Sequence, residues 1–255
     1  MPTLSIRFTG GHYHATPWGR HANEGAVEWP PSPWRLLRAL ISAGYTKLPE
    51  WQSGVMPETA RSLFLKLSGV LPSYRLPTAI GTHTRHYMPT RANPTLVLDT
   101  RAVTGSDPVF VHWDVPLEPD ERAWLARLAA SLGYLGRAES WTECELLTDA
   151  PQPDAGWVVP CEQAESPGRG WEQVEVMASV APETYTVWRQ KRVAEALAPF
   201  PLPEGRNPPE KLLKERKKAV APYPEDILAC LQAETGWLQK EGWSQPPGSQ
   251  RVLYW

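Results

Sequence analysis

Cysteine is scarce in this chain: three among 255 residues, Cys144, Cys161 and Cys230, with no Cys-x-x-Cys pair. That spacing argues against both a disulfide framework and a cysteine-based zinc site. Long apolar runs are missing too. No stretch approaches the ~20 residues that cross a bilayer, and no basic-then-apolar segment opens the sequence, so the expected location is the cytoplasm. Excess positive charge is the third absence. Twenty-six Lys and Arg stand against 28 Asp and Glu, a net charge of −2, which argues against a protein that coats nucleic acid by bulk charge. No internal repeat recurs at a fixed period, and nothing in the sequence calls for a cofactor.

What is present in excess is proline (28) and tryptophan (13). Proline interrupts helices and strand interiors, so much of the chain must be ordered loop. Tryptophan offers either core volume or an exposed stacking face, and composition leaves both open. Charge is also unevenly placed. From Arg75 to Arg101 there are four arginines and a single acid, Asp99; from Arg189 to Lys218 there are nine Lys/Arg against four Glu. Basic segments in a mildly acidic whole fit a specific polyanion groove.

The element order begins with an alternating strand, Leu4, Ile6 and Phe8 against Ser5, Arg7 and Thr9. A loop rich in Gly, His, Trp and Arg follows. Ser32 and Pro33 then form a helix start, with Leu36, Leu37, Leu40 and Ile41 on one stripe. A short helix is expected over Pro57 to Ser68, then a long irregular segment, LPSYRLPTAIGTHTRHYMPTRANP. Two strands, Thr95 to Val103 and Pro108 to Leu117, read as a hairpin across Gly105-Ser106-Asp107. A helix over Pro119 to Leu132 and a strand over Ser140 to Leu147 complete the series. The resulting β-α-β-β-α-β order predicts an α+β fold with a ferredoxin-like core, the arrangement used by RNA-recognition domains. Residues 1–149 are expected to form that domain, with an inserted thumb-like loop. Residues 150–255 are expected as a Pro/Trp-rich, loop-rich extension, with a strand at Trp171 to Val180 and helices around Thr184 to Ala198, Pro208 to Val220 and Glu225 to Trp237.

Candidate chemistry lies in four places. His12 and His14 flank Tyr13 and would share a strand face, with His21 folding back beside them. Three imidazoles suit zinc, but no acid or cysteine stands at ligand spacing and Arg20 adjoins His21, so polar surface or core histidine and nucleic-acid contact are the readings preferred over a metal site. The stretch HTRHYMPTR alternates basic and aromatic groups. Arg85 and Arg91 suit phosphates, while His83, His86 and Tyr87 suit base stacking. GYLGRAES carries Arg137 between glycines, where backbone N–H groups can approach a phosphate, although glycine also simply ends helices. The basic stretch containing Arg189, Lys191 and Arg192, and the KLLKERKKAV run after it, are either solvated faces or phosphate contacts. A metal-free ribonuclease would need a general base, for which His86 or His14 is the candidate.

The blocks GGHYHATPWGRHANEGAVEWPPSPWRLLRAL, GTHTRHYMP, GYLGRAES and WSQPPGSQRVLYW, in this order from end to end, resemble the type I-G (formerly I-U) CRISPR-associated subunit, a fusion of the Cas-five and Cas-six families of the RAMP superfamily. The resemblance implies a cytoplasmic ribonucleoprotein role in antiviral defence. In that role the Cas-five part holds the 5′ handle of CRISPR RNA at one end of the Cascade surveillance complex, often with a protruding thumb. Its implied partners are the Cas-seven-type backbone, the Cas-eight-type large subunit and, near the PAM end, target DNA. Composition makes His83 to Arg91 the candidate thumb. The loop Gly10 to Arg20, with Trp18 and Arg20, and the helix-borne Arg35 are candidates for the handle surface.

One departure stands out. The fused family carries a second, endoribonuclease domain, and the sequence reaches Trp255 before there is room for it, so no catalytic residue is carried over. The expectation is a non-catalytic binding subunit, either the N-terminal half of a longer protein or the product of a split gene. The alternatives are a metal-independent endoribonuclease acting on repeat RNA, as some Cas-five subunits are, and a protein-only scaffold.

Overall fold

Alternation at the N-terminus becomes the inner strand of a sheet. β1 (Thr3–Phe8) buries Leu4, Ile6 and Phe8 and exposes Arg7, as side chains of period two require. This computed structural model describes all residues except 22–23, 52, 89–94, 150, 152, 155, 162–169 and 204–206, and only the backbone of 86–88 and 95–97. In it, β1 lies between two antiparallel neighbours. The strand Val109–His112 pairs with it as Leu4↔Val111, and the strand Thr142–Leu146 as Ile6↔Cys144. A short strand, Ser73–Arg75, extends the first of these neighbours. With chain-order labels, where β2 is His12–Tyr13, β4 is Ile80–Met88 and β5 is Thr95–Val103, the sheet runs β3-β6-β1-β7.

The first helix starts where the sequence places it. Ser32 Oγ accepts the Arg35 N–H at 3.3 Å, Pro33 opens α1 (Pro33–Lys47), and Leu36, Leu37, Leu40 and Ile41 are buried. α2 (Glu58–Gly69) buries Ala60, Leu63, Phe64 and Leu67. α3 (Pro119–Ala130) is tied to α2 through Glu121, whose Oε2 accepts the Glu118 N–H at 2.9 Å and Lys66 Nζ at 2.6 Å while Oε1 accepts the Ser62 hydroxyl at 2.7 Å. Burial opposes the Glu121 charge, but Lys66 and Ser62 outweigh it and hold the carboxyl below its usual range. These helices share one apolar core with the inward faces of β1 and β6, centred on Trp51, Phe64, Leu125 and Leu128. Gly44 lets α1 pass Trp51: a Cβ there would stand 2.6 Å from the indole ring.

The hairpin expected across Gly105-Ser106-Asp107 does not form. β5 pairs instead with β4, from Ile80↔Val103 to Met88↔Thr95, and with β2 through Tyr13↔Ala102, making a separate sheet in the order β2-β5-β4. The segment expected to be irregular therefore supplies β3 and β4. The reason is that alternation identifies a strand without naming its partner. Val109 and Val111 are satisfied by Ile6 and Leu4, whereas β5 carries Asp99 and Arg101 and finds its partner in β4, the preceding strand in the chain.

The C-terminal part is more regular than its composition suggests. β8 (Pro160–Cys161), β9 (Val174–Ser179) and β10 (Ser249–Tyr254) form a third antiparallel sheet, β8-β10-β9. α4 (Pro182–Leu197) and α5 (Glu210–Val220) lie close to expectation. The single helix expected at Glu225 to Trp237 is two, α6 (Ile227–Gln232) and α7 (Thr235–Lys240), because the α6 start is capped by Asp226, which accepts the Ala229 N–H at 2.8 Å, and the chain extends at Ala233. β9 packs on α1 and α2, and Val176, Met177, Tyr185, Ile227 and Tyr254 join the core described above. The molecule is thus α+β with antiparallel sheets. Among the described residues no helix is long and apolar enough to cross a membrane.

Candidate nucleic-acid interface

The loop between β2 and α1 is organised around a buried acid that composition did not single out. Glu28, 5% exposed, accepts the Tyr13 hydroxyl at 3.3 Å, the Ser32 N–H at 3.0 Å, and Arg35 through Nε at 2.7 Å and Nη2 at 3.2 Å. Arg35 also donates to the Thr16 carbonyl at 2.9 Å. Burial works against the Arg35 charge, but Glu28 outweighs it and holds the guanidinium protonated well above its usual range. Burial, reinforced by Glu28, pushes the Tyr13 hydroxyl up.

His14 is not the surface contact expected from its place beside His12. It is 3% exposed, with Nε2 2.9 Å from Asp99 Oδ1 and Nδ1 2.6 Å from Glu139 Oε1. Both carboxyls are held below their usual range: burial opposes this, but Arg101 and His14 prevail at Asp99, and backbone hydrogen bonding and His14 at Glu139. His14, Asp99 and Glu139 have the composition of a cation site, with ligand atoms within 4.8 Å of one another. Their geometry is that of a clamp: the carboxylates face opposite ring nitrogens, and Arg101 donates to the second Asp99 oxygen at 2.7 Å. The GYLGRAES segment closes over it. The Arg137 N–H donates to the His14 carbonyl at 2.8 Å, so this backbone group is not open to a phosphate. Gly136 has φ +88°, and a Cβ there would lie 2.5 Å from the His14 carbonyl oxygen, which is why glycine stands in this position.

Other predicted residues remain accessible. His12 is half-buried, donating from Nδ1 to the Gly10 carbonyl at 2.8 Å, with Arg101 Nη1 3.4 Å from Nε2. Arg20 and His21 are exposed; Arg20 pairs with Glu24 at 3.1 Å. Trp18 donates to the Ser244 carbonyl at 3.0 Å. On β4, His83 and Arg85 are exposed and, two positions apart, share one face of the β4–β5 arm. The side chains of His86 and Tyr87, and all of Arg91, lie outside the described residues. Arg137, Lys191 and Arg192 are exposed, Arg192 pairing with Glu195 at 3.3 Å. Arg189 is half-buried and donates to the Pro224 carbonyl at 2.7 Å. α5 buries no residue.

Two adjoining cavities run beside the start of α1 and share Arg35. One, of about 480 Å3, lies under Trp18, Arg20 and Trp243; the other, of about 680 Å3, under Arg38, Tyr45 and Tyr134. Among the described residues, no Asp or Glu lines either. By contrast, the sheet face opposite the core is closed at one end, where Thr3 Oγ1 and His112 Nδ1 are 2.8 Å apart and Trp157 packs edge-on against His112. At its other end a hollow of about 230 Å3 is lined by Ser5, Arg7, Glu143, Cys144 and Glu145, a poor seat for a polyanion. The cationic, aromatic surface is therefore along the helix.

Arg38 and Tyr134 were not read from the sequence. For Arg38 a signal existed: three residues beyond Arg35, it lies on the same helix face. No family model matches the chain, and none of the curated proteins matches it.

Proposed function

We propose that the chain is a non-catalytic RNA-binding subunit of a type I CRISPR surveillance complex and that it holds the 5′ handle of CRISPR RNA along the Arg35–Arg38 groove. The observation that carries this reading is the pair of adjoining cavities lined by arginine and aromatic side chains with no carboxylate among the described residues, on a protein whose net charge is −2. Arginine with stacking aromatics is the chemistry of single-stranded RNA recognition. The strand order β3-β6-β1-β7, with α1 and α2 leading from β1 to β3 and α3 from β6 to β7, supports a ferredoxin-like core. Within it the β4–β5 arm is an insertion between the second and third core strands, the position of a thumb, and presents His83 and Arg85.

Exposed Val187, Leu202 and Leu213 on the C-terminal part supply apolar surface for backbone and large-subunit neighbours. The commitment of both His14 ring nitrogens to carboxylates removes it as a free general base, which favours binding over cleavage. The test is retention of RNA by the chain assembled with its complex partners. A repeat-derived 5′ handle is expected to bind more tightly than a scrambled one, and Arg85→Ala is expected to weaken it. Equal affinity for both handles overturns the reading, as does site-specific cleavage of repeat RNA in EDTA.

A further inference from the structure

Arg35 and Arg38 sit one turn apart on α1 but in opposite electrostatic situations. Arg35 is neutralised by Glu28, whereas Arg38 has no carboxylate partner among the described residues. Its Nη1 donates to the carbonyls of Leu231 at 2.6 Å and Ala233 at 2.9 Å, and its Nη2 and Nε groups have no acceptor among the described residues. Burial, and then the like charge of Arg35, lower its proton affinity, so a negative ligand here relieves an unfavourable state. The cavity over it, about 680 Å3, is far larger than a phosphate needs and falls within the ~300–1,000 Å3 of small-molecule sites.

Its remaining walls are not those of a simple anion hole. Tyr134, 51% exposed, stands on the rim, and its antiparallel bridge to Trp141 gives it a second exposed aromatic neighbour, 62% exposed. Tyr45 donates to the Gln232 amide oxygen at 3.2 Å, which leaves that amide NH2 as a donor inside the same cavity. One free guanidinium edge, formed by Nε and Nη2, with a half-exposed ring and an amide, matches a phosphate with a planar, hydrogen-bonding base attached.

We propose that this cavity binds one unstacked nucleotide, its phosphate on Arg38 and its base on Tyr134. The site deepens the RNA-binding reading, on which its assignment to a strand rather than a free nucleotide rests.

The test titrates the full chain, by calorimetry, with adenosine 5′-monophosphate, with a short single-stranded RNA and with inorganic phosphate. The mononucleotide and the RNA are expected to bind and to compete. Tyr134→Ala is expected to weaken both about tenfold, the loss of one stacking partner, while leaving phosphate binding unchanged. Because Arg38 also anchors the end of α6, Arg38→Lys accompanies Arg38→Gln: the lysine keeps a charge and loses the fork, and about tenfold weaker binding is expected from it as well. Wild-type affinity in Tyr134→Ala and Arg38→Lys overturns the proposal, and so does a chain that binds neither ligand. Mononucleotide binding without RNA binding overturns the strand assignment and identifies a free nucleotide as the ligand. Handle discrimination in the assembled complex is a separate readout. If it persists in Arg38→Lys while nucleotide binding was never present, the pocket fails and the functional reading stands.

Discussion

The loop-and-clamp region around Glu28 and His14 and the α4–α5 pair are both rich in cationic side chains, yet they handle charge in opposite ways. In the first, polar groups are consumed internally: Arg35 by Glu28 and Arg101 by Asp99, with the His14 ring held between Asp99 and Glu139. In the second, α4 buries only Tyr185 and α5 buries nothing, so Lys191, Arg192 and the lysines of α5 face solvent, with local partners such as Lys214–Glu210 at 2.7 Å. A basic residue count measures neither the field a ligand meets nor the energy stored in the fold. Depth decides which role a charge takes, because a buried ion must be paired whereas an exposed one is screened.

The largest break in this contrast comes from Glu28→Gln, which leaves Arg35 without its acid. A loss of about 3 kcal/mol is expected in urea unfolding. Gly136→Ala forces a side chain into left-handed backbone against the His14 carbonyl, and a loss of about 2 kcal/mol is expected by the same measurement.

Acid sharpens the comparison next. Asp99, Glu139, Glu121 and Asp226 all have carboxyl pKa values depressed by folding. Their contribution is therefore complete above the unfolded carboxylate range and disappears as the pH falls below about 4. Unfolding midpoints recorded through that range should drop steeply for the parent and less steeply for Asp99→Asn, which has already lost one such group. The smallest effect belongs to α5: Lys217→Ala with Lys218→Ala is expected to change stability by no more than about 0.5 kcal/mol. If those lysines touch RNA, the same variant lowers retention and flattens its salt dependence; if they are only a solvated face, retention stays unchanged.

The sequence was most legible where structure is local. Leu4, Ile6 and Phe8 declared β1, Ser32 and Pro33 declared the start of α1, and the apolar stripes of α1 to α3 were read nearly to their ends. It was least legible at β5 and β6, whose shared alternation suggested a hairpin, and at β10, where SQRVLY carries no strict period. Among candidate site residues, Trp18, Arg20 and Arg35 border one of the cavities beside α1, while His14 lies buried between Asp99 and Glu139. Arg38, Tyr45 and Tyr134 were missed because a cavity is a relation between elements, here α1, the segment after α3, and α6.

By itself, then, the sequence determined the kinds of elements and their order, since periodicity and capping act over a few residues through backbone hydrogen bonds and side-chain direction. Only the tertiary structure decided the partner of each strand, the enclosure of His14 by an acid 85 residues away and another 125 residues away, and the setting of Arg38, which has no carboxylate partner among the described residues. Those outcomes depend on which distant groups burial brings within hydrogen-bond reach, and no local pattern encodes that distance.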